Sequence, residues 1–150
     1  MKRVAILGST GSIGKSALEV IRHLPGEFKV VALSTNSHTD ILCQQIKDFR
    51  PAFACVRNRD AARALKCIPQ TRLFVGEEGL RQMIQEGSID RILLAISGAG
   101  ALMPLLAAID SGKDIALANK EALVMAGPII MQKVRAVSYT HLTLPTILRV

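Results

Sequence analysis

Apolar residues in this chain fall into short unbroken runs, separated by stretches in which they recur every three or four positions. The runs Val4–Leu7, Phe28–Leu33, Phe53–Val56, Arg72–Val75, Ile89–Ile96 and Ile115–Ala118 predict strands, most of them buried on both faces. Ile89–Ile96 is the most apolar of them and is expected near the centre of the sheet. The periodic stretches between predict helices. In the first, which runs on to Leu24, the stripe Ile13, Ala17, Val20, Ile21 and Leu24 is expected to face a core. A second starts near Thr39 or Asp40, carries Ile41, Leu42, Ile46 and Phe49 on its apolar side, and is closed by Pro51. Further helices are predicted over Asp60–Cys67, Glu77–Glu86, Leu102–Ser111 and Pro128–Val134, with Pro69 breaking the first of these and Gly112 stopping the third.

Strand and helix alternate, which implies right-handed crossovers and a mostly parallel sheet. The expected fold class is α/β, a Rossmann-like, doubly wound arrangement that binds ligands at the carboxyl ends of its strands. The 150 residues, 49% of them hydrophobic, suffice for one domain with its own core. Four Phe, one Tyr and no Trp leave that core to Ile, Leu, Val and Ala, the composition of strands covered by helices on both sides.

The first strand runs into Gly8-Ser9-Thr10-Gly11-Ser12-Ile13-Gly14 and then into a helix. Strand, glycine turn and helix form the phosphate-binding corner of a nucleotide fold. Gly8 lets the chain turn off the strand, Gly11 lets the main chain approach a diphosphate, and Gly14 lets the helix pack on the strand. Ser9, Thr10 and Ser12 are expected to add hydroxyl donors beside the backbone amides. The spacing is G-x-x-G-x-x-G, a variant of the usual dinucleotide fingerprint. Gly14-Lys15-Ser16 imitates the end of a P-loop, but that motif needs glycine where this chain has Ser9.

Charge and cysteine content exclude several classes. The net charge is +7, yet Lys and Arg are interleaved with acids and no basic run carries stacking aromatics, so no nucleic-acid partner is expected. Cys43, Cys55 and Cys67 are odd in number and lack C-x-x-C pairing, which fits reduced thiols in a cytoplasmic protein. His23, His38 and His141 lack ligand spacing, so no metal site is expected in the chain as given. Ile92–Ile109 is uncharged and long enough to be weighed as a membrane span. Ser97-Gly98, Gly100 and Pro104 interrupt it, so a strand, turn and helix are expected and no membrane partner.

The end of the second strand bears on which dinucleotide is bound. An NAD site places an acid there for the ribose 2′-hydroxyl. This chain has Ser34-Thr35-Asn36-Ser37-His38, and its nearest acid is Asp40, which leans towards NADP although no Arg sits in the loop. After the sixth strand, Asn119-Lys120-Glu121 groups an amide, an ammonium and a carboxylate, able to orient a cofactor ribose and hold a substrate oxygen, or simply to begin a charged helix.

Ile6–Gly14, Val30–Leu33, Leu94–Gly100 and Leu117–Val124, in this order and spacing, resemble the amino-terminal domain of the 1-deoxy-D-xylulose 5-phosphate reductoisomerase family over roughly residues 1 to 135. That resemblance implies an NADPH-dependent oxidoreductase of isoprenoid precursor synthesis. Such an enzyme rearranges 1-deoxy-D-xylulose 5-phosphate, a phosphorylated sugar, and reduces the resulting aldehyde to 2-C-methyl-D-erythritol 4-phosphate. It further implies that Thr10, Gly11, Ser12 and Ile13, between Gly8 and Gly14, hold NADPH, with Asn36, Ser37 and His38 around its adenosine end. Asn119 and Glu121 would also contact the cofactor, and Lys120 the substrate. Where many family members carry Gly-Lys/Arg-Asn, this chain has Asn36-Ser37-His38. A homodimer is expected for the full-length enzyme.

The family continues into an Asp-Ser-Glu segment whose carboxylates bind a divalent cation, Mg or Mn, and then a catalytic domain. The chain as given supplies neither, so it is read as a fragment that binds cofactor without turnover and contributes no catalytic residue. Residues 1–135 are expected to form the NADPH-binding domain, and residues 136–150, which include Ser138-Tyr139-Thr140-His141, a non-native tail resembling a translated sequencing adapter. The competing reading of that segment is a native strand over Tyr139–Leu144. Two other functions fit the glycine corner: another NADP-dependent reductase such as a semialdehyde dehydrogenase, and a stand-alone dinucleotide-sensing module.

Overall fold

A computed structural model describes residues 1–66 and 68–136 and the backbone of 142–143. Six strands, β1 (Lys2–Leu7), β2 (Phe28–Thr35), β3 (Phe53–Val56), β4 (Arg72–Val75), β5 (Arg91–Leu94) and β6 (Asp114–Leu117), are joined by the two-residue β7 (Leu142–Thr143). All pair in parallel, in the order β4-β3-β2-β1-β5-β6-β7. Helices α1 (Ser12–Arg22), α2 (Thr39–Phe49), α3 (Arg59–Ala62), α4 (Gly76–Ile84) and α5 (Leu102–Asp110) fill the crossovers, and α6 (Glu121–Ala136) follows β6. The chain winds outward from β1 to β4, then returns to the other side of β1 for β5 and β6. Because β1 is flanked by β2 and β5, a crevice opens at its carboxyl end, where a doubly wound sheet takes its ligands.

Alternate residues of β1 serve two cores. Val4 and Ile6 pack with Leu18, Leu42 and Ile46 of α1 and α2, while Ala5 and Leu7 pack with Leu80, Leu105 and Ile109 of α4 and α5. Burial on both faces is why the strand reads as an unbroken apolar run.

Several boundaries differ from the sequence pattern. In α1 the buried residues are Gly14 and Leu18, with Ala17 and Ile21 packed beside them, whereas Ile13 and Val20 are 47% and 56% exposed and Leu24 is exposed too. Gly14 must abut the turn after β1, and a glycine adds nothing to an apolar stripe, so hydropathy places the inner face off centre. β2 continues through Ser34 and Thr35, which are buried because their side chains bond across to the β1 turn. The helix expected to reach Cys67 ends at Ala62, and Cys67 itself lies outside the described residues. β5 is confined to Arg91–Leu94 and sits beside β1, one place from the middle. α6 starts at Glu121, ahead of the expected Pro128, and is kinked at Ala126 just before Gly127-Pro128.

Ile92–Ile109 resolves into β5, a loop, a 3-10 turn over Ala99–Ala101 and α5. Among the described residues no helix is long and apolar enough to cross a membrane. The expectation of a tail from residue 136 falls mostly outside the described residues; within them, Ala136 ends α6 and Leu142–Thr143 pair with Ile115 and Ala116 of β6.

Candidate functional site

The corner after β1 is built by two glycines that the chain itself requires. Gly8 turns with φ +86°, and a Cβ there would lie 2.6 Å from the Ala95 carbonyl oxygen, so the turn rests directly on the end of β5. A Cβ on Gly14 would strike the Gly8 carbonyl oxygen and lie 2.5 Å from Ser9 Cα, so only glycine lets α1 approach this closely. Gly11 is different. Its φ of −79° suits any residue, and the nearest atom to an added Cβ is 3.8 Å away. Among the described residues nothing demands glycine here, and its missing side chain leaves open space at the amino end of α1. Among the described residues no side chain caps that helix, so its first-turn amides and the positive end of its dipole are available to an anion.

The hydroxyls beside the turn have mostly internal duties. Ser9 is fully buried, with Oγ 2.7 Å from Gln45 Oε1 and 3.2 Å from the Ser34 carbonyl oxygen, while Gln45 Nε2 donates to the Ser9 carbonyl at 2.8 Å. The expectation that Ser9 adds a donor beside the amides is therefore corrected: its hydroxyl is turned towards α2. Thr10 and Thr35 share a buried hydroxyl–hydroxyl hydrogen bond of 2.7 Å, so Thr10 offers the cleft its main chain. Ser34 Oγ accepts from the Gly8 amide at 3.1 Å. Ser12 alone of the three hydroxyl residues is exposed.

Two clefts flank this corner at the carboxyl edge of the sheet. One, of about 200 Å³, is lined by Gly8, Thr10, Gly11, Asn36, His38 and Arg57 among others. The second, of about 360 Å³, is lined by Ile13, Asn119, Lys120 and Glu121. Both share Ala95, Ile96 and Ser97 as a common wall. The sequence-predicted residues are thus divided between two adjoining spaces on either side of the glycine turn. Ser12, Gly14 and Ser37 line neither: Ser12 and Ser37 are exposed, and Gly14 is buried beneath the turn.

Asn119 is 8% exposed and its side chain is fully engaged. Nδ2 donates to the carbonyls of Ile96 (2.8 Å) and Gly98 (3.2 Å), and Oδ1 accepts from the Glu121 amide (2.7 Å). The residue staples the loop after β5 to the start of α6, which sets Lys120 and Glu121, both exposed, at the mouth of the second cleft.

Arg57 has no place in the sequence motifs, yet it lines the first cleft. Its amide donates to Thr35 at 3.0 Å, its Nε and Nη2 reach Glu77 Oε1 at 2.8 and 2.7 Å, and Nη2 donates to the Gly100 carbonyl at 3.2 Å. The signal that could have found it is its position directly after β3, beside the end of β2. Neighbouring Cys55 is buried, which pushes its thiol up to about 12 and keeps it a protonated core residue. Among the described residues no three or more His, Cys, Asp or Glu side chains gather where they could hold a metal ion.

Comparison with known proteins bears on this architecture. The sequence profile of 1-deoxy-D-xylulose 5-phosphate reductoisomerase matches residues 4–127. The reductoisomerase of Thermodesulfovibrio yellowstonii is 46% identical over 134 residues, covering 89% of this chain and 35% of the relative. The chain therefore spans about a third of the length of such curated relatives. Among solved structures, the reductoisomerase from Zymomonas mobilis in complex with NADPH superposes with a TM-score of 0.88 at 33% identity, over 95% of this chain and 38% of that one. A DOX-P reductoisomerase in complex with NADPH, fosmidomycin and magnesium gives 0.85 at 33% identity, over 96% of this chain and 36% of that one. With its glycine corner, paired clefts and parallel sheet, this chain belongs to the 1-deoxy-D-xylulose 5-phosphate reductoisomerase family.

Proposed function

We propose that this chain is the NADPH-binding part of an enzyme that rearranges 1-deoxy-D-xylulose 5-phosphate and reduces the product to 2-C-methyl-D-erythritol 4-phosphate. The observation that carries the reading is Gly11, a glycine the fold does not need, placed between two clefts at the amino end of an uncapped helix. Such a cradle fits a diphosphate, with one half of a dinucleotide in each cleft. NADPH bound to the solved relatives supports the assignment.

In this reading the amides of Ser12 and Ile13 and the dipole of α1 hold the diphosphate, and Gly11, whose own amide donates to the Gly8 carbonyl, leaves the room for it. Asn36 and His38 border the adenosine half, with Ser37 exposed beside them. Glu121 borders the nicotinamide half, where Asn119 acts by holding the loop and helix in place. Lys120, exposed at that mouth, offers an ammonium to the phosphorylated sugar or to a substrate oxygen. NADPH, when bound, supplies the hydride for the reduction. The divalent cation is assigned to parts of the enzyme beyond the described residues, and so is a homodimer contact.

The test is calorimetric titration of the 150-residue chain with NADPH and NADH. Saturable binding that favours NADPH is expected, with no turnover of 1-deoxy-D-xylulose 5-phosphate by this chain alone. Absence of saturable binding to either dinucleotide contradicts the reading.

A further inference from the structure

We propose that Arg57 reads the 2′-phosphate of NADPH and so sets the preference for NADPH over NADH, an inference that rests on the dinucleotide reading above. A phosphate dianion buried at the end of β2 needs a cation, and the loop Asn36-Ser37-His38 carries no Lys or Arg. Among the described residues, Arg57 is the one Lys or Arg that lines the 200 Å³ cleft. The main chain brings it there: the amides of Arg57 and Asn58 donate to the carbonyls of Thr35 and Asn36 at 3.0 and 2.9 Å, zipping the end of β3 to the loop after β2.

The guanidinium is also fixed in place, between this cleft and a neighbouring one that Arg57 shares with Glu77 and Gly100. Its side chain is 14% exposed, held by Glu77 and by the Gly100 carbonyl through Nε and Nη2, so Nη1 is left for a ligand among the described residues. A Cβ on Gly100 would come within 3.4 Å of that fork. Glu77 is the movable partner, because its side chain is 63% exposed and the hold of so exposed an acid is weak. A doubly charged phosphate displaces it, and until then Glu77 competes for the same cation. The two halves of this ion pair must therefore act in opposite directions on NADPH affinity, which a purely structural pair does not do.

Calorimetric titration of the full chain with NADPH and NADH reads this directly. Arg57→Leu is expected to raise the NADPH Kd about tenfold or more while changing the NADH Kd less than about twofold. Arg57→Lys, which keeps the charge without the planar fork, is expected to fall between. Glu77→Gln is expected to lower the NADPH Kd about twofold or more and leave NADH unaffected. Equal weakening of both dinucleotides by Arg57→Leu, no change in their ratio, or weaker NADPH binding in Glu77→Gln overturns the role of Arg57. Wild-type chain that binds neither dinucleotide overturns the dinucleotide reading as well. Circular dichroism melts show whether each variant is folded, and should Arg57→Leu not fold, Arg57→Lys and Glu77→Gln decide the matter.

Discussion

Gly14→Ala probes how tightly α1 is seated on the turn after β1. The added methyl would lie 2.5 Å from Ser9 Cα and 2.8 Å from Ser9 C, both backbone atoms that no rotamer change can move. To reach ordinary contact the helix must withdraw by about 1 Å, loosening Leu18, Ala17 and Ile21 from their core. Overpacking of this kind costs up to about 3 kcal/mol. Alanine returns about 1 kcal/mol through its better helix propensity, which leaves a net loss of about 2 kcal/mol. For a domain of this size that loss lowers Tm by about 4–8 °C. Urea unfolding followed by far-UV circular dichroism measures it, with Gly11→Ala as the comparison. At Gly11 the methyl meets nothing closer than 3.8 Å, and the entropic gain of about 0.4–1 kcal/mol offsets a poorer helix N-cap, so stability should be nearly unchanged. Gly14→Ala within about 0.5 kcal/mol of wild type, or Gly11→Ala as damaging as Gly14→Ala, refutes the reasoning.

Other expectations are more local. Asn119→Ala strips the Ile96 and Gly98 carbonyls and the Glu121 amide of their partner, and should cost about 2 kcal/mol in melts and weaken NADPH about tenfold; Asn119→Asp should fare no better, because a carboxylate cannot donate to those two carbonyls. Asn119→Ala with wild-type affinity would show that the staple does not shape the cleft. Burial raises the Cys55 thiol from an ordinary 9.0 to about 12, so the native state keeps a proton that the unfolded chain loses. Its contribution to stability is complete below about pH 9 and declines as pH rises towards 12, and iodoacetamide at pH 8.5 should label Cys55 only after unfolding, as read by peptide mass spectrometry. Labelling of the native protein at the rate of a free thiol contradicts this. Hydrogen bonds from Arg3, first from its side chain and then from its amide, hold the Asp90 carboxyl down at about 2. Asp90→Asn should therefore lower Tm by about 2 °C at pH 7, and the gap should close as pH falls from about 4 to 2; a gap independent of pH contradicts the assignment.

Most strands of this fold are legible because they lie between two helical layers, which turns their residues into an apolar run; β6 is covered on one face, with Ala116 exposed on the other. Gly8 and Gly14 are legible through their spacing, though not through hydropathy, and the same blindness misplaced the inner face of α1 onto Ile13 and Val20. Ser34 and Thr35 read as loop because hydroxyls look like surface, yet one accepts from the Gly8 amide and the other meets Thr10. The start of α6 is hidden for a related reason: Asn119 accepts the Glu121 amide and begins the helix well before Gly127-Pro128. Arg57 could not be read from any motif, since its place in the cleft comes from β3 lying beside β2 and its bond to Gly100 spans 43 residues. The Asn119 side chain was legible as part of a site but not as a staple, because its acceptors lie on the loop after β5.

Gly11→Asp separates binding from folding most directly. An aspartate is a favoured N-cap, and the position has both the room and the backbone angle for it, so the melt should match wild type. Titrated with NADPH, the wild-type chain should saturate, while the variant, with a carboxylate at the proposed diphosphate site, should lose affinity about a hundredfold or more. Equal NADPH affinity in the two folded proteins would mean that the glycine corner does not hold a dinucleotide.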